Sequence, residues 1–272
     1  MIDIKDQWAI QIDVTNKCNR LCSNCTRMLG HIKEPFYMST KDFRNAVEAL
    51  KNFPTDSPPP TSNVKNKMVG ILGGEPLMHP QFEELAKIMA EIIPEKKHRG
   101  VWTGLAWEKT KYASLMSETF GLIHNNQHTS QCLHSPVLVA IRDVVEDREK
   151  RTEMISNCWL QRIWSGTVTP KGLFFCEVAG AMDMLFGGPG GLPVEKDCWK
   201  RPISDFQSQI TRWCNKCGIA MNLMGRKDSD QIDDISQSNL EQLKDSPQIK
   251  KGLFELYQSK NPKITMKPWE YR

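Results

Sequence analysis

Three closely spaced cysteines near the start of the chain are its most chemically suggestive side chains. Cys18, Cys22 and Cys25 form a C-x3-C-x2-C pattern just after a strand-like segment, residues 8–14. Three thiolates at this spacing can ligate three irons of a cubic iron–sulfur cluster, which leaves one iron free to bind and activate a small molecule. The alternative is a structural zinc site, for which His31 would have to supply the fourth ligand.

A glycine turn with a carboxylate forms a second candidate site. Gly73-Gly74-Glu75-Pro76 follows an apolar run, residues 68–72, that predicts a strand. Glycine permits positive φ and a close approach of a ligand to the backbone. Glu75 could accept hydrogen bonds from an ammonium group held at this edge. Taken alone, the stretch could equally be an ordinary strand-to-helix turn.

Four further cysteines in the C-terminal third could ligate a second metal centre. They are Cys158, Cys176, Cys214 and Cys217. Residues 163–176 predict a hairpin whose turn contains Gly172, and residues 179–186 predict a helix. Four thiolates can fully ligate a cluster for electron transfer or structural support, with zinc as the alternative. Cys198 could replace Cys158 as one of the ligands.

The cysteine triplet followed by the Gly-Gly-Glu-Pro turn resembles the radical S-adenosylmethionine superfamily, over about residues 5–150. The resemblance implies that the triplet holds a catalytic [4Fe–4S] cluster whose open iron binds the amino and carboxylate groups of S-adenosylmethionine. The turn would contact the methionine amine. The implied cofactor-binding residues are Gly73, Gly74, Glu75, Pro76, Asn24 and Thr103. The family commonly has an aromatic residue at the position of Asn24, so its adenine contacts do not transfer here.

The resemblance also implies an α/β fold, a partial (β/α)6 TIM-like barrel over residues 1–157. Residues 158–218 resemble a twitch domain, the shortened form of the SPASM domain, in which a hairpin and a helix carry an auxiliary [4Fe–4S] cluster. The second cysteine group would ligate it, giving two clusters in the chain. Residues 219–272 are expected to pack on the barrel as a tail without chemistry.

Strand and helix signals alternate along the chain, which predicts a parallel sheet with chemistry at the C-terminal ends of its strands. In the first strand, the alternation of apolar and polar residues directs Gln11 and Asp13 toward the barrel interior. Helices are predicted after Ser39 and over residues 80–93, and short strands at residues 101–103 and 122–124. The expected substrate pocket comprises Gln11, Asp13, His124, Cys132 and Cys198.

A polar run after the last of these strands contains further reactive side chains. A thiol at Cys132 could give a hydrogen atom to a substrate radical, and the alternative is an inert packed cysteine. His124, His128 and His134 could bind a metal, or could be satisfied by ordinary hydrogen bonds.

Composition indicates a cytoplasmic enzyme. The chain has 272 residues, nine of them cysteines, and a net charge of +4 without a long basic tract, which argues little for nucleic acid. No apolar run approaches the roughly 20 residues that span a membrane. The charged first residues do not resemble a signal peptide. Cysteines in such a chain suit metal ligands in a reducing compartment.

The resemblance implies a reaction as well as a fold. An electron from a flavodoxin- or ferredoxin-type donor would enter the cluster, and S-adenosylmethionine would be cleaved to a 5′-deoxyadenosyl radical. That radical would abstract hydrogen from a small polar metabolite of the sugar, cyclitol or nucleoside type. An auxiliary cluster near the substrate would favour net oxidation, whereas quenching or rearrangement would give an epimerase or isomerase. Two further hypotheses are a radical-SAM enzyme that modifies peptides or proteins, and a non-catalytic zinc or iron–sulfur protein.

Overall fold

The computed structural model of the protein describes residues 1–56, 65–125, 132–162 and 166–258. Three features predicted above lie partly or wholly outside these ranges. They are His128, the first residues of the hairpin (163–165) and the end of the tail, beyond residue 258.

Strands and helices alternate through most of the described chain. The strands are β1 Ala9–Asp13, β2 Met68–Leu72, β3 Arg99–Thr103, β4 Leu122–Asn125, β5 Leu133–His134, β6 Gly166–Thr169, β7 Gly172–Phe174, β8 Arg226–Lys227, β9 Asp233–Ile235 and β10 Phe254–Leu256. The helices are α1 Thr40–Leu50, α2 Phe82–Ile92, α3 Ala113–Thr119, α4 Ile141–Val144, α5 Arg148–Ser156, α6 Glu177–Leu185, α7 Gln207–Trp213, α8 Gln237–Leu243 and α9 Pro247–Lys250.

A central sheet of six strands organises the fold, in the order β4-β3-β2-β1-β6-β7. Strands β1 to β4 and β6 run parallel, and β7 returns antiparallel to β6. In the middle of the sheet, Ile10 of β1 is level with Val69 of β2 on one side and Gly166 of β6 on the other. The result is a mixed α/β fold with a mostly parallel sheet, consistent with a partial TIM-like barrel.

The two amphipathic helices that follow β1 and β2 lie where the sequence predicted them. Ser39 caps α1, because its Oγ accepts a hydrogen bond of 3.1 Å from the backbone N–H of Asp42. Phe43 and Leu50 of α1 and Phe82 of α2 are fully buried in the same core as the isoleucines of β1. Burial of these apolar faces is what holds both helices on the sheet.

The predicted hairpin and the helix after it are present, and they belong to the central sheet. Gly172 has a φ of +119°, and a Cβ atom at this position would lie 2.6 Å from the carbonyl oxygen of Leu192. Only glycine therefore suits this turn. Because β6 pairs with β1, the hairpin extends the barrel sheet at its second edge. A domain boundary at residues 157 and 158 stays a prediction.

Two small sheets complete the described structure, β5 with β8 and β9 with β10. They bring the C-terminal segment against the loop that follows β1, as the hydrogen bonds below show. Within the described ranges, no helix combines the length and the apolar character needed to cross a membrane.

Candidate functional site

The cysteine loop and the glycine turn, which are far apart in sequence, are joined by backbone hydrogen bonds. The N–H of Gly74 donates to the carbonyl of Thr15 and the N–H of Glu75 donates to that of Lys17, both at 2.7 Å. A Cβ at Gly74 would lie 2.3 Å from the Lys17 carbonyl oxygen, so this approach requires glycine. The turn after β2 is thus fixed directly beside the segment that leads into Cys18.

The three cysteines of the first group lie together on the loop after β1. Burial raises the pKa of the Cys18 thiol, and it raises those of Cys22 to about 12 and of Cys25 to about 11, where the neighbouring cysteines add to the rise. The backbone N–H of Arg20 donates to the Cys18 sulfur at 3.4 Å. A metal ion deprotonates the thiols that coordinate it, so protonated thiols that lie together can still become metal ligands.

Among the described residues, the cysteines do not form a compact zinc-like site. A tetrahedral zinc site with Zn–S bonds of about 2.3 Å places its sulfurs about 3.8 Å apart. Among the described residues, one group of three or more potential ligands has all its ligand atoms within 4.8 Å, namely Asp56, Glu95 and His98. The Lys97 ammonium lies 2.7 Å from Asp56 and 3.0 Å from Glu95, so that group is an ion-pair network. No three cysteines of the described residues have their sulfurs that close together, so neither cysteine group has the compact arrangement of a zinc site.

His31, the alternative fourth ligand for zinc, is engaged elsewhere. Its ring is buried, with Nδ1 2.8 Å from the hydroxyl of Ser246 and Nε2 3.0 Å from a carboxylate oxygen of Asp233. Both ring nitrogens therefore have partners in the C-terminal segment. His31 therefore does not supply the fourth ligand of a zinc site at the cysteine triplet.

The buried Glu75 carboxylate connects the ends of two strands. One oxygen accepts hydrogen bonds from the Thr103 hydroxyl at 2.8 Å and the Leu77 N–H at 3.0 Å, and the other accepts from the Gly104 N–H at 2.8 Å. Burial raises the pKa of this carboxyl, although the three hydrogen bonds oppose the rise. The two predicted cofactor-binding residues Glu75 and Thr103 are thus in contact. The carboxylate retains lone pairs that can accept from an ammonium group.

Replacing Glu75 with glutamine should affect both folding and cofactor binding. The glutamine amide would direct its own N–H toward a group that now donates a hydrogen bond to the carboxylate. This mismatch costs about 1–3 kcal/mol of unfolding free energy. If the turn holds S-adenosylmethionine, as the sequence predicts, loss of the carboxylate should also weaken that binding about tenfold to a hundredfold. Denaturant unfolding and titration calorimetry measure the two effects. Glu91→Gln, at an exposed ion pair on α2, is the matched control. An unchanged affinity would make the turn purely structural.

Asn24, which the resemblance implies is a cofactor-binding residue, holds the cysteine loop through its side chain. It is buried and has a φ of +50°, a conformation that asparagine tolerates better than most residues. Its side-chain N–H groups donate to Asp234 at 2.7 Å and to the His134 carbonyl at 3.3 Å, and its side-chain oxygen accepts from the Asp234 N–H at 2.8 Å. Its backbone N–H donates to Asp233. An aromatic side chain here could make none of the side-chain bonds.

The C-terminal segment therefore has a positional role that the sequence did not reveal. Ser23, beside Asn24, donates its N–H to the Asp228 carbonyl at 3.0 Å and accepts from the Ile232 N–H at 2.9 Å through its hydroxyl. Residues 228–234, expected to be a tail without chemistry, instead clamp the cysteine loop. The sequence offers one hint of this contact. Asn24 is a polar residue that tolerates positive φ and lies within the C-x2-C spacing.

Replacing Asn24 with alanine should loosen the cysteine loop. The change removes three side-chain hydrogen bonds, two with Asp234 and one with the His134 carbonyl, at a cost of about 2 kcal/mol or more. We expect lower unfolding free energy and, if the loop holds iron as the sequence predicts, several-fold faster loss of iron to a chelator. Asn52→Ala is the matched control, because Asn52 makes one exposed hydrogen bond, to Asp197. Equal iron-release rates in the two variants would contradict the clamp.

A buried charged cluster lies where Gln11 and Asp13 were expected to face the barrel interior. The Nη2 atom of Arg27 lies 3.0 Å from Glu177, 3.4 Å from Asp13 and 3.4 Å from the side-chain oxygen of Gln11. Burial raises the pKa of Asp13 to about 6, although the Arg27 charge opposes this. Sequence reasoning missed Arg27 and Glu177, since their pairing joins parts of the chain that are distant in sequence.

This cluster connects the two cysteine groups and the glycine turn. Arg27 stands two residues after Cys25, and Glu177 directly follows Cys176, so their ion pair links both groups. Asp13 and Arg27 also line a small pocket together with Gly73 and Gly74. The predicted interior residue and the predicted cofactor turn therefore share one space.

The second cysteine group surrounds a separate cavity of about 400 Å³, open solvent included. All four members line it: Cys158, Cys176, Cys214 and Cys217. The other lining side chains are mostly apolar, among them Phe175, Met182 and Trp213. Burial raises the pKa of Cys158 to about 12 and those of Cys214 and Cys217 well above the usual value. Four converging free thiols in apolar surroundings fit a fully ligated metal centre.

Cys198 does not join either group. It is buried at a short turn that packs against residues 4–6 and the end of α1, where the Asp197 N–H donates to the Ala49 carbonyl at 3.1 Å. Residues 4–6 precede β1, so this turn lies near the start of the strand, away from the site at the strand's C-terminal end. The structure thus brings Cys158 to the auxiliary cavity and leaves Cys198 outside it and outside the predicted substrate pocket.

The remaining predicted residues are His124, Cys132 and His134. His124 is half-buried on β4, and burial lowers its pKa. Cys132 accepts a hydrogen bond from the Asp228 N–H through its carbonyl at 2.9 Å, and burial raises the pKa of its thiol. His134 on β5 contacts the Ser23 carbonyl through Nδ1 at 2.9 Å. These contacts place Cys132 and His134 next to the cysteine loop, while His124 lies at the end of β4.

No protein-family model matches the chain, and no curated protein sequence matches it significantly. Among solved structures, the crystal structure of BtrN in complex with AdoMet and 2-DOIA is similar, with 18% sequence identity and a TM-score of 0.46. The match covers 77% of this chain and 88% of that chain. An identity and a score this low do not show a shared activity, so functional inference depends on the geometry of the site itself.

Proposed function

We propose that this chain is a radical S-adenosylmethionine enzyme with its cofactor site at the C-terminal ends of β1 and β2. The observation that carries the proposal is the pair of 2.7 Å hydrogen bonds from Gly74 and Glu75 to the segment before Cys18. They join the cysteine triplet and the glycine turn into one edge of the sheet, as simultaneous contact with one cofactor requires. A zinc site would need His31 as its fourth ligand, and Ser246 and Asp233 already engage both nitrogens of that ring, which supports a cluster over zinc.

In this proposal, Cys18, Cys22 and Cys25 hold the cluster, and the glycine turn with Glu75 and Thr103 holds S-adenosylmethionine. When bound, these groups would supply reductive cleavage of S-adenosylmethionine and a radical that abstracts hydrogen. The protein's own contribution is to orient the reactants and exclude water. Glu75 is suited to accept from an ammonium group, and the buried polar cluster of Gln11, Asp13 and Arg27 is suited to hold a small polar substrate.

The second cysteine group is proposed to hold an auxiliary cluster that accepts an electron from the substrate. All four of its thiols converge on one apolar cavity, and the Arg27–Glu177 ion pair places this cavity close to the interior cluster. Net oxidation of the substrate is therefore favoured over a redox-neutral reaction. A flavodoxin- or ferredoxin-type protein is proposed as the electron donor.

Anaerobic reconstitution tests the proposal directly. We expect about eight irons per chain, as two [4Fe–4S] clusters. Incubation with dithionite and S-adenosylmethionine should then release 5′-deoxyadenosine and methionine, measured by liquid chromatography and mass spectrometry. A colourless anaerobic protein containing zinc, with no 5′-deoxyadenosine formed, would instead support a non-catalytic metal protein.

A further inference from the structure

The β9–α8 segment, residues 233–243, is hydrogen-bonded to the chain beside both cysteine groups. At the first group, the side-chain amide of Asn24 donates to the Asp234 carboxylate at 2.7 Å, and the Asp234 N–H donates back to the Asn24 side-chain oxygen at 2.8 Å. At the second group, the side-chain amide of Asn239 donates to the Lys216 carbonyl at 2.9 Å. One short segment therefore contacts both candidate metal sites.

The two attachment points occupy equivalent positions in the sequence. Asn24 directly precedes Cys25 and Lys216 directly precedes Cys217, so each lies within the C-x2-C spacing of its group. The backbone of such a residue is continuous with that of the next cysteine, so a hydrogen bond that fixes it also orients the thiol. Loss of a group that orients a metal ligand typically lowers metal affinity by about 10- to 100-fold.

The β9–α8 segment is fixed at both ends and in the middle. Ile235 and Asn239 are fully buried. The ring of His31 joins the two ends, because one nitrogen contacts Asp233 at the start of β9 and the other contacts Ser246 just beyond α8. A close-packed interior transmits strain, and rigid elements carry energetic coupling between sites. A displacement at one end of the segment should therefore move the other end.

We propose that the β9–α8 segment couples the two metal sites, so that a metal centre at either cysteine group stabilises the ligands of the other. Asn24 and Asn239 are the positioning residues through which the two groups are joined. Linkage requires that the effect acts in both directions. The inference rests on the proposed function only in assigning a metal centre to each group, and it requires neither S-adenosylmethionine nor turnover.

Hydrogen–deuterium exchange on a protein with a single metal centre tests the coupling directly. The protein with Cys214→Ala and Cys217→Ala keeps only the first group. When that group is filled by anaerobic reconstitution with iron and sulfide, we expect several-fold slower amide exchange in α8, which contacts the emptied second group. Slower exchange confined to the cysteine loop and β9 would overturn the proposal.

Variants at the far end of the segment provide the second test. In the same single-centre protein, Asn239→Ala should make the first centre lose iron to a chelator about two- to thirtyfold faster, the range expected for residues that carry coupling. Asn24→Ala should act likewise on the second centre in the protein that lacks the first three cysteines. Asn52→Ala, which removes one exposed hydrogen bond, is the control. Iron loss at the control rate in both proteins would overturn the proposal.

A core variant separates coupling from general destabilisation. Phe82 packs against Tyr112 and Phe120, and Phe82→Leu lowers the unfolding free energy by leaving a cavity under α2. If Phe82→Leu accelerated iron loss as much as Asn239→Ala, the coupling would be refuted. The exchange measurement decides the question alone if Asn239→Ala does not fold.

The outcome for the coupling is distinct from the outcome for the proposed function. Coupled iron loss in a protein that forms no 5′-deoxyadenosine would leave the coupling intact and overturn the proposed function. Independent loss of the two centres from a protein that forms 5′-deoxyadenosine would overturn the coupling alone.

Discussion

Replacing Cys18, Cys22 and Cys25 together with alanine is expected to remove about half of the bound iron and all formation of 5′-deoxyadenosine. The physical reason is that the open iron, where S-adenosylmethionine would bind, exists only while three thiolates hold the other corners of the cluster. Iron analysis, electron paramagnetic resonance of the reduced protein and product analysis measure the outcome. The loss of product should be complete, since no other described group of side chains offers an open site of this kind.

The control for the triple variant is the protein changed at Cys214 and Cys217, which should also lose about half of its iron yet still form 5′-deoxyadenosine. Circular dichroism must show that both proteins remain folded, because loss of a metal centre can unfold the segment around it. Formation of 5′-deoxyadenosine by the triple variant would refute the proposed cofactor site.

The second large effect is expected from the Cys214→Ala and Cys217→Ala pair itself. These cysteines line the 400 Å³ cavity with Cys158 and Cys176, so their loss removes half of the proposed ligands of the auxiliary cluster. We expect intact cleavage of S-adenosylmethionine but abolished or redirected conversion of the substrate, because the electron acceptor is missing. Spectroscopy of the reduced protein should show one cluster signal instead of two.

Cys198→Ala provides the matched comparison for the auxiliary site. Its thiol is buried like the others but lies outside the cavity, so this variant should keep both clusters. If Cys198→Ala lost the second cluster while Cys158→Ala kept it, the ligand assignment would be wrong. If the Cys214 and Cys217 pair could be removed without any change in product, a redox-neutral reaction would be the better interpretation.

Local patterns predicted the elements that carry the site. The apolar run at residues 68–72 has the same bounds as β2, and β1 lies within the alternating segment at residues 8–14. The Ser39 cap marked the start of α1. Such features depend on neighbours a few residues apart, so they can be recognised without knowing the fold. The spacing of each cysteine group could be recognised in the same way.

Contacts between distant parts of the chain were not predictable in this way. Nothing in the local pattern showed that β6 pairs with β1, that Asn24 bonds to Asp234, or that His31 is held by the C-terminal segment. Asn24 was expected at the cofactor, yet its hydrogen bonds are used within the protein. The position of Cys198 also depended on packing against α1 rather than on its spacing from other cysteines.

The sequence by itself determined which side chains can do chemistry here, because ligand type and short spacing are local properties. It identified the cysteine triplet, the glycine turn and four candidate auxiliary ligands. Only the tertiary structure decided how these come together: the hydrogen bonds between Gly74 and Thr15, the cavity that includes Cys158 but not Cys198, and the pairing of Arg27 with Glu177. Those contacts arise when the parallel sheet and its packed loops bring distant segments to one edge, and burial of apolar faces across the whole chain drives that arrangement.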